Sequence, residues 1–353
     1  MGTTYNVLIL GASYGSLLGA KMALAGHNVK LVCLPEEADL INTEGARVRM
    51  AARGVDGLVE LDTSRMPGKV TAAGPNDVDP SDYDLIGLAM QEPQYGVPVL
   101  HDLLDRIAAA KVPCMSIMNM PPLTYLKRIA AIDAEAIKSS YTDASVWDNL
   151  DPALMTLCSP DPQAFRPPTE KVNVLQVGLP TNFKAARFDS DAHTAILHQL
   201  EADIQAVRFN HEGNDVELPV KLRVHDSVFV PLAKWAMLIA GNYRCVQKDE
   251  MRPIKEAVHS NLDESRAAYE WVVELCVKMG ADAGDLVPFD KYANAALSLV
   301  NPSSAARALA GGAPNIERVD KLVQTVAAGN GMQLDSLDQT VELVDGWLEK
   351  NRA

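Results

Sequence analysis

Basic residues are scarce in this chain: 32 Lys and Arg stand against 46 Asp and Glu, giving a formal net charge of −14. A surface that binds nucleic acid needs a positive field, and no basic cluster supplies one. No apolar run reaches the roughly 18–20 residues that a membrane helix requires. The five cysteines are widely spaced and form no CxxC pair, which argues against disulfides or a metal site. We therefore expect a cytoplasmic globular protein with no metal, nucleic-acid or membrane partner.

What the N-terminal residues do have is a strand–turn–helix–strand pattern. Residues 6–10 are predicted as a buried strand because 7–10 are a continuous apolar run, and glycines enclose the turn at 11–15. Apolar residues at helical spacing follow over 16–25, and a second strand pattern occupies 29–33. This βαβ unit has the length that a parallel sheet requires.

The same alternation continues and then stops. Strand patterns at 84–89 and 113–118 enclose a helical pattern at 97–110, and strand, helix and strand patterns return at 172–177, 192–204 and 206–209. Residues 121–172 are irregular and rich in Pro, Asp and Ser. Later patterns are helical, at 226–246, 254–279, 290–299, 316–328 and 334–348. We predict a doubly wound Rossmann-like α/β domain over 1–222, with an insertion near 121–172, and an all-helical domain over 223–353.

The turn at 11–15 is a candidate for binding a dinucleotide. A glycine turn lets a pyrophosphate approach the backbone at a helix N-terminus, where free N–H groups and the helix dipole favour negative charge. The pattern here is GxSxG, one residue shorter than the usual GxGxxG. The predicted contacts are Gly11, Ser13, Tyr14, Gly15 and Ser16. Two alternatives are a tight turn without a ligand and the nucleophile elbow of a hydrolase.

Several segments together resemble the ketopantoate reductase family, whose helical domain is like that of 6-phosphogluconate dehydrogenase. The segment 11–32 resembles the family's opening unit, and 84–94 resembles its fourth-strand segment. Asn119 follows the next strand, and Asn242 lies eight residues beyond Lys234. Near the C-terminus, 302–307 and 317–320 resemble a Ser-Ser…Glu-Ile-Asp segment.

The resemblance implies a role for each matching residue. Lys234 is the general acid that protonates the carbonyl oxygen as hydride arrives, while Asn119 and Asn242 orient the substrate and the lysine. Ser303 binds a substrate carboxylate, and Glu317 accepts a hydrogen bond from a substrate hydroxyl. Leu238 departs from the pattern, because the family often has a second Asn there, so the substrate is predicted only as a small 2-oxo acid or a related compound.

The chemistry of Lys234 agrees with that role. A carbonyl that gains hydride develops negative charge on oxygen, which a nearby ammonium stabilises while delivering a proton. Lys234 stands in an otherwise apolar helical pattern at 228–240, where desolvation would lower its pKa. The alternative is a lysine that extends to solvent from the edge of a helix.

The residues expected near the cofactor favour NAD(H) over NADP(H). A 2′-phosphate needs a basic residue at the end of the second strand, whereas a free ribose is often held by a carboxylate. The family's basic positions align with Leu34 and Gln91, and Glu36 and Glu37 lie close by. Gln94 and Asn119 complete the predicted cofactor contacts. Three basic residues would reverse this preference if they reach the ribose: Arg47, Arg49 and Arg53.

Other patterns leave alternatives open. His225-Asp226 is compatible with the general base of an opine- or imine-type C=N reductase, or with an aspartate that caps a helix. The five-residue spacing of His193 and His198 does not suit a metal site. Residues 141–147 either cover the substrate or form a surface excursion. A nucleotide-binding sensor without catalysis is the remaining alternative, and the helical domain is predicted to form a homodimer.

Overall fold

The computed structural model describes residues 2–353. The strands are β1 (Asn6–Leu10), β2 (Asn28–Val32), β3 (Arg47–Met50), β4 (Val59–Asp62), β5 (Val70–Ala73), β6 (Leu85–Leu88), β7 (Cys114–Ile117), β8 (Met155–Ser159), β9 (Gln163–Phe165), β10 (Val174–Leu179), β11 (Phe183–Ala186), β12 (Phe209–His211), β13 (Asn214–Val216) and β14 (Leu222–His225). The α-helices are α1 (Tyr14–Leu24), α2 (Pro35–Glu44), α3 (Pro98–Ala110), α4 (Leu123–Leu126), α5 (Asp191–Ala206), α6 (Lys234–Met237), α7 (Ile254–His259), α8 (Leu262–Lys278), α9 (Phe289–Ala296), α10 (Ser304–Ala310), α11 (Val319–Gly329) and α12 (Asp335–Arg352). Within these residues, none of the helices has the length and apolar character that crossing a membrane requires.

The first compact unit holds the parallel sheet and comprises residues up to 90, together with 97–118 and 146–226. Its eight strands lie in the order β14-β11-β8-β7-β6-β1-β2-β5. From β5 to β8 all neighbours are parallel, whereas β11 is antiparallel to β8. The six strands β5-β2-β1-β6-β7-β8 are spatial neighbours in this order. Numbered 1 to 6 as they follow along the chain, they have the order 3-2-1-4-5-6 of a doubly wound dinucleotide-binding sheet. The predicted Rossmann-like class is confirmed for this unit.

Glycine allows the first helix to lie directly on the sheet. A Cβ atom at Gly15 would stand 2.9 Å from Cγ2 of Ile9, and one at Gly19 would stand 3.1 Å from Cγ1 of Val29. Every residue of α1 after Tyr14 is buried, so the helix has no solvent face. Lys21 is the one charged residue among the buried residues of α1. Its ammonium donates a hydrogen bond to the carbonyl of Pro219 at 3.1 Å.

Part of the segment 121–172, predicted as irregular, belongs to regular sheets. The strand β8 pairs with β7 inside the main sheet, and β9 joins a second, four-stranded sheet of order β4-β3-β10-β9. All five residues of β8 are buried. A strand buried on both faces has no two-residue alternation, and this one is too short to stand out from its polar surroundings.

The second compact unit comprises 91–96, 119–145 and 227–353. The chain therefore enters this unit twice before the predicted boundary at 222/223. The first half of the predicted insertion, 119–145, packs with the helices, whereas 146–172 belongs with the sheets.

Two of the predicted long helices are each divided. In place of one helix over 226–246, a 3-10 segment (Val230–Ala233) leads into α6, a π-helical turn (Leu238–Asn242) and a second 3-10 turn (Tyr243–Cys245). The pattern at 254–279 divides into α7 and α8, because Asn261 caps α8 by accepting from the N–H of Glu264. Periodicity does not detect such breaks, since apolar residues continue across them.

Candidate functional site

The turn after β1 begins with a glycine in a left-handed backbone conformation. Gly11 has φ +102°, and a Cβ atom there would stand 2.7 Å from the carbonyl oxygen of Ala89. Ser13 occupies the N-cap of α1, but its side chain makes no cap hydrogen bond, and the first turn carries no acidic residue. The hydroxyl of Ser16 instead donates back to the carbonyl of Ala12 at 2.5 Å. The uncapped amides and helix dipole at this end favour a bound phosphate.

The end of β2 carries acidic charge, part of which is neutralised. Leu34 is 75% exposed, and Glu36 is exposed beside it in the first turn of α2. Glu37 is buried and pairs with Arg166, which no sequence pattern indicated. Burial raises the pKa of Glu37, and the Arg166 guanidinium opposes that rise.

Two of the arginines that would have reversed the cofactor preference are committed elsewhere. Arg47 pairs with Glu60 at 2.8 Å, and Arg49 pairs with Glu60 at 2.6 Å and with Glu170 at 2.7 Å. The pairs with Glu60 link β3 to β4, and the pair with Glu170 links β3 to the segment that precedes β10.

A second group of predicted residues converges on a small cavity within the second unit. The open space is about 20 Å³, enough for about one water molecule. Asn119, Asn242 and Glu317 line it, as does Leu238 at the position where the family often has asparagine. The remaining lining residues are Gln91, Tyr243, Ser304, Ala305, Ala308 and Ile316.

Glu317 is the acidic centre of this cavity. Its carboxylate accepts from the backbone N–H groups of Glu92 and Met120 and from Nδ2 of Asn119, each at 3.4 Å. Burial raises the pKa of Glu317, while these donors and the positive charge of Lys234 oppose the rise. Two residues that the resemblance singles out, Lys234 and Glu317, therefore interact electrostatically.

Asn119 has an unused acceptor at this cavity. Among residues 2–353 its Oδ1 is buried and has no hydrogen-bond partner, although its Nδ2 donates to Glu317. A buried polar atom without a partner costs free energy, so it marks a place where a donor from a ligand would be stabilised.

The adjacent serines 303 and 304 differ in what they can contact. Ser303 is 2% exposed; its hydroxyl donates to the carbonyl of Asn242 at 2.7 Å and accepts from the N–H of Ala306. It therefore caps α10 and fixes Asn242, and its hydroxyl is already used within the protein. Ser304 is the serine that lines the cavity.

Several other candidates lie in ordinary structural positions. Gln94 accepts the N–H of Gln91 through its side chain, and the Tyr141 hydroxyl donates to the carbonyl of Pro121 at 2.7 Å. His225 ends β14, and Asp226 does not cap the following helical turn, whose N-cap is Phe229. The cap prediction was wrong because the helix begins later than the apolar pattern.

Sequence reasoning missed Glu92, a buried acid beside the cavity. Its carboxylate accepts from the N–H of Thr142 at 2.9 Å and from the Thr142 hydroxyl at 3.0 Å. Burial raises the pKa of Glu92 to about 7, with the hydrogen bonds to Thr142 opposing and the charge of Glu317 adding to the rise. It stands between Gln91 and Pro93 at the end of an apolar run, and nothing in this local pattern indicates that it is buried.

We expect Glu92 to make the stability of the protein pH-dependent. Because its folded-state pKa is about 7, against 4.5 when exposed, its contribution is complete below pH 4.5 and is lost as the pH rises through 7. The loss amounts to about 3 kcal/mol at most. Glu92→Gln should remove this dependence, as measured by chemical denaturation at pH 5 and pH 7.5. The exposed Glu274→Gln is the control, and an unchanged pH slope in Glu92→Gln would contradict the expectation.

Solved ketopantoate reductases share this chain's fold over nearly its whole length. The 2-dehydropantoate 2-reductase of Methylococcus capsulatus is 12% identical, with a TM-score of 0.66 over 99% of this chain and 98% of that one. A ketopantoate reductase of Ralstonia eutropha is 17% identical, with a TM-score of 0.59 over 99% and 100%. The dimeric ketopantoate reductase of Staphylococcus aureus is 8% identical, with a TM-score of 0.59 over 98% and 99%. No family model and no curated protein matches the sequence.

These comparisons define the class of fold. The chain joins a doubly wound α/β unit to a helical unit, as the ketopantoate reductases do. The predicted resemblance is therefore confirmed at the level of fold, and the identities of 8–17% describe a divergent sequence.

Proposed function

We propose that this protein is a nicotinamide-dependent oxidoreductase that reduces the carbonyl of a small 2-oxo acid. The observation that carries the proposal is the convergence of Asn119, Asn242 and Glu317 on one cavity, with the charge of Lys234 acting on Glu317. An ammonium, a carboxylate and two amides supply the proton donor and the polar contacts that carbonyl reduction needs. Structures that share the fold carry the names of ketopantoate reductases, which supports the same reaction class.

The turn at 11–15 suits a nicotinamide dinucleotide, which supplies the hydride when bound. Gly11 and Gly15 leave no Cβ in the way, and the uncapped N-terminus of α1 offers amides for the pyrophosphate. At the ribose we favour NAD(H), because Leu34 provides no charge and the carboxylate of Glu36 would repel a 2′-phosphate. Arg166 is already neutralised by Glu37.

Lys234 and the residues that line the cavity have different proposed roles. Lys234 delivers a proton to the carbonyl oxygen and stabilises the charge that develops there. Asn242 holds the substrate, and Oδ1 of Asn119 accepts a hydrogen bond from a substrate hydroxyl or amide. Glu317 accepts from a substrate hydroxyl and pairs electrostatically with Lys234.

The small volume of the cavity indicates what must change when a substrate binds. A 2-oxo acid is larger than about 20 Å³, so lining side chains move when it binds. We propose that Glu317 then gives up the N–H groups of Glu92 and Met120 from which it now accepts. Those amides, with the hydroxyl of Ser304, are donors of the kind that a carboxylate requires. We assign the carboxylate contact to Ser304 in place of Ser303.

Steady-state kinetics with NADH and NADPH and a panel of 2-oxo acids, ketopantoate included, tests the proposal. We expect turnover with at least one 2-oxo acid and a higher kcat/KM with NADH. A large preference for NADPH would overturn the cofactor assignment alone. Turnover only when an amine is added would favour an imine-type reductase, and cofactor binding without turnover of any substrate would favour a sensor.

We also propose that the protein assembles as a homodimer through its helical unit. The S. aureus relative is described as dimeric, and long buried helices of this kind often extend into subunit interfaces. Light scattering coupled to size-exclusion chromatography measures the mass directly.

A further inference from the structure

A π-helical turn separates two of the proposed site residues. The N–H of Tyr243 bonds the carbonyl of Leu238, five residues earlier, where an α-helix would use the residue four earlier. The turn spans Leu238–Asn242, so Lys234 precedes it and Asn242 closes it. Isolated π-turns inside helices are rare and occur often at functional sites.

The extra residue changes the direction in which Asn242 faces. Eight residues of a regular α-helix rotate by 800°, which would leave Lys234 and Asn242 about 80° apart around the axis. A π-turn accommodates one more residue in the same length, so the pair is equivalent to seven α-helical steps and lies about 20° apart. Asn242 accordingly lines the cavity of Glu317, the carboxylate on which the Lys234 charge acts.

Two residues outside the proposed chemistry hold this turn open. The Tyr292 hydroxyl, from α9, donates to the carbonyl of Met237 at 3.1 Å, just before the turn begins. In an α-helix the N–H of Gly241 would bond that carbonyl. Gly241 gives the hydroxyl its space, because a Cβ atom there would overlap the Tyr292 oxygen.

The other end of the turn is fixed as well. Ser303 donates to the carbonyl of Asn242 at 2.7 Å. The next residue, Tyr243, donates its hydroxyl to the carbonyl of Glu317 and accepts from the N–H of Val319 at 3.0 Å. A change of register in the turn would therefore move Asn242 and the backbone of Glu317 together.

We propose that Tyr292 and Gly241 are positioning residues: the π-turn they maintain sets Asn242 on the same helix face as Lys234 and so aligns the substrate. This inference rests on the proposed function. Tyr292 does not contact the substrate; it affects the reaction by positioning Asn242.

Tyr292→Phe tests the inference, with Tyr269→Phe as its matched control. The two rings stack at 5.4 Å, and each hydroxyl donates to a backbone carbonyl, but Tyr269 bonds Val287, outside the π-turn. Tyr292→Phe should lower kcat/KM for the 2-oxo acid about 10- to 100-fold, since small misplacements of a substrate have effects of this size. Tyr269→Phe should lower it by less than threefold at similar thermal stability.

Double variants show whether Tyr292 acts through Asn242. Adding Tyr292→Phe to Asn242→Ala should cause little further loss, because the residue being positioned is already gone. The inference would be overturned if the loss of kcat/KM in the double variant equalled the product of the two single losses. It would also be overturned if Tyr292→Phe and Tyr269→Phe lowered kcat/KM equally. If Asn242→Ala and Lys234→Ala leave turnover intact, the proposed function itself is wrong.

A stability measurement tests the contact itself without any substrate. Gly241→Ala should lower the melting temperature strongly in the wild-type chain and clearly less in the Tyr292→Phe background, where the overlapping oxygen is absent. Equal effects in both backgrounds would show that the hydroxyl does not hold the turn. If Gly241→Ala does not fold alone, recovery of folding by Tyr292→Phe is the supporting result, and failure to recover is the contrary one.

Discussion

Lys234→Ala should lower kcat for the 2-oxo acid about 10²- to 10⁴-fold, the range over which general acid catalysis contributes. The reason is that Lys234 is the proposed proton donor and its positive charge acts on Glu317, which lines the cavity. Binding of NADH, followed by its fluorescence, should be unchanged, because the proposed cofactor turn lies in the other unit.

Two further variants define this prediction. Lys278→Ala removes an exposed lysine from the last turn of α8 and should leave kcat within twofold. Lys234→Arg keeps the charge but holds its proton too tightly to deliver it, so it should recover only part of the activity. Turnover of Lys234→Ala within threefold of the wild type would refute the lysine mechanism.

Arg318→Met should destabilise the protein by about 3–5 kcal/mol, since it leaves a buried carboxylate without its partner. Asp320 is fully buried, and Arg318 donates to it through Nε and Nη2, both at 2.9 Å. The same guanidinium also bonds Asp345 in α12, so one side chain fixes α11 to α12. Chemical denaturation measures the loss.

The exposed Arg307→Met on α10 is the control and should change the free energy of unfolding by less than about 0.5 kcal/mol. Arg318→Met should also recover part of its stability at low pH, where Asp320 becomes protonated. A loss below about 1 kcal/mol in Arg318→Met would mean that the ion pair contributes little.

The segment 317–320, which resembles a segment of the ketopantoate reductases, contains residues with two different roles. Glu317 lines the cavity, whereas Arg318 and Asp320 form a buried ion pair that supports the helices behind it. A motif match does not distinguish these roles. The distinction depends on which way each side chain faces, and that follows from the start of α11 at Val319.

The pair of serines at 303–304 gives the same lesson. The resemblance pointed to Ser303, but the N-cap geometry of α10 directs its hydroxyl to the backbone. An N-cap preference for serine applies equally to either residue. The sequence patterns predicted no helix at 304–310, so they did not show which hydroxyl remains for a ligand.

The sequence by itself determined the opening βαβ unit, the doubly wound class and the helical second half, because these depend on short-range patterns of apolar runs and glycines. The resemblance pointed to Asn119, Lys234, Asn242 and Glu317, and their roles in the reaction stay predictions. Tertiary structure alone decided that residues 119–145 pack with the helices, that Glu92 is buried and that Arg166 neutralises Glu37. It also decided the π-turn, because the Tyr292 hydroxyl that holds it lies 55 residues further along the chain than the carbonyl of Met237 that it bonds. Contacts between distant residues set burial, charge pairing and helix register, and no local pattern records them.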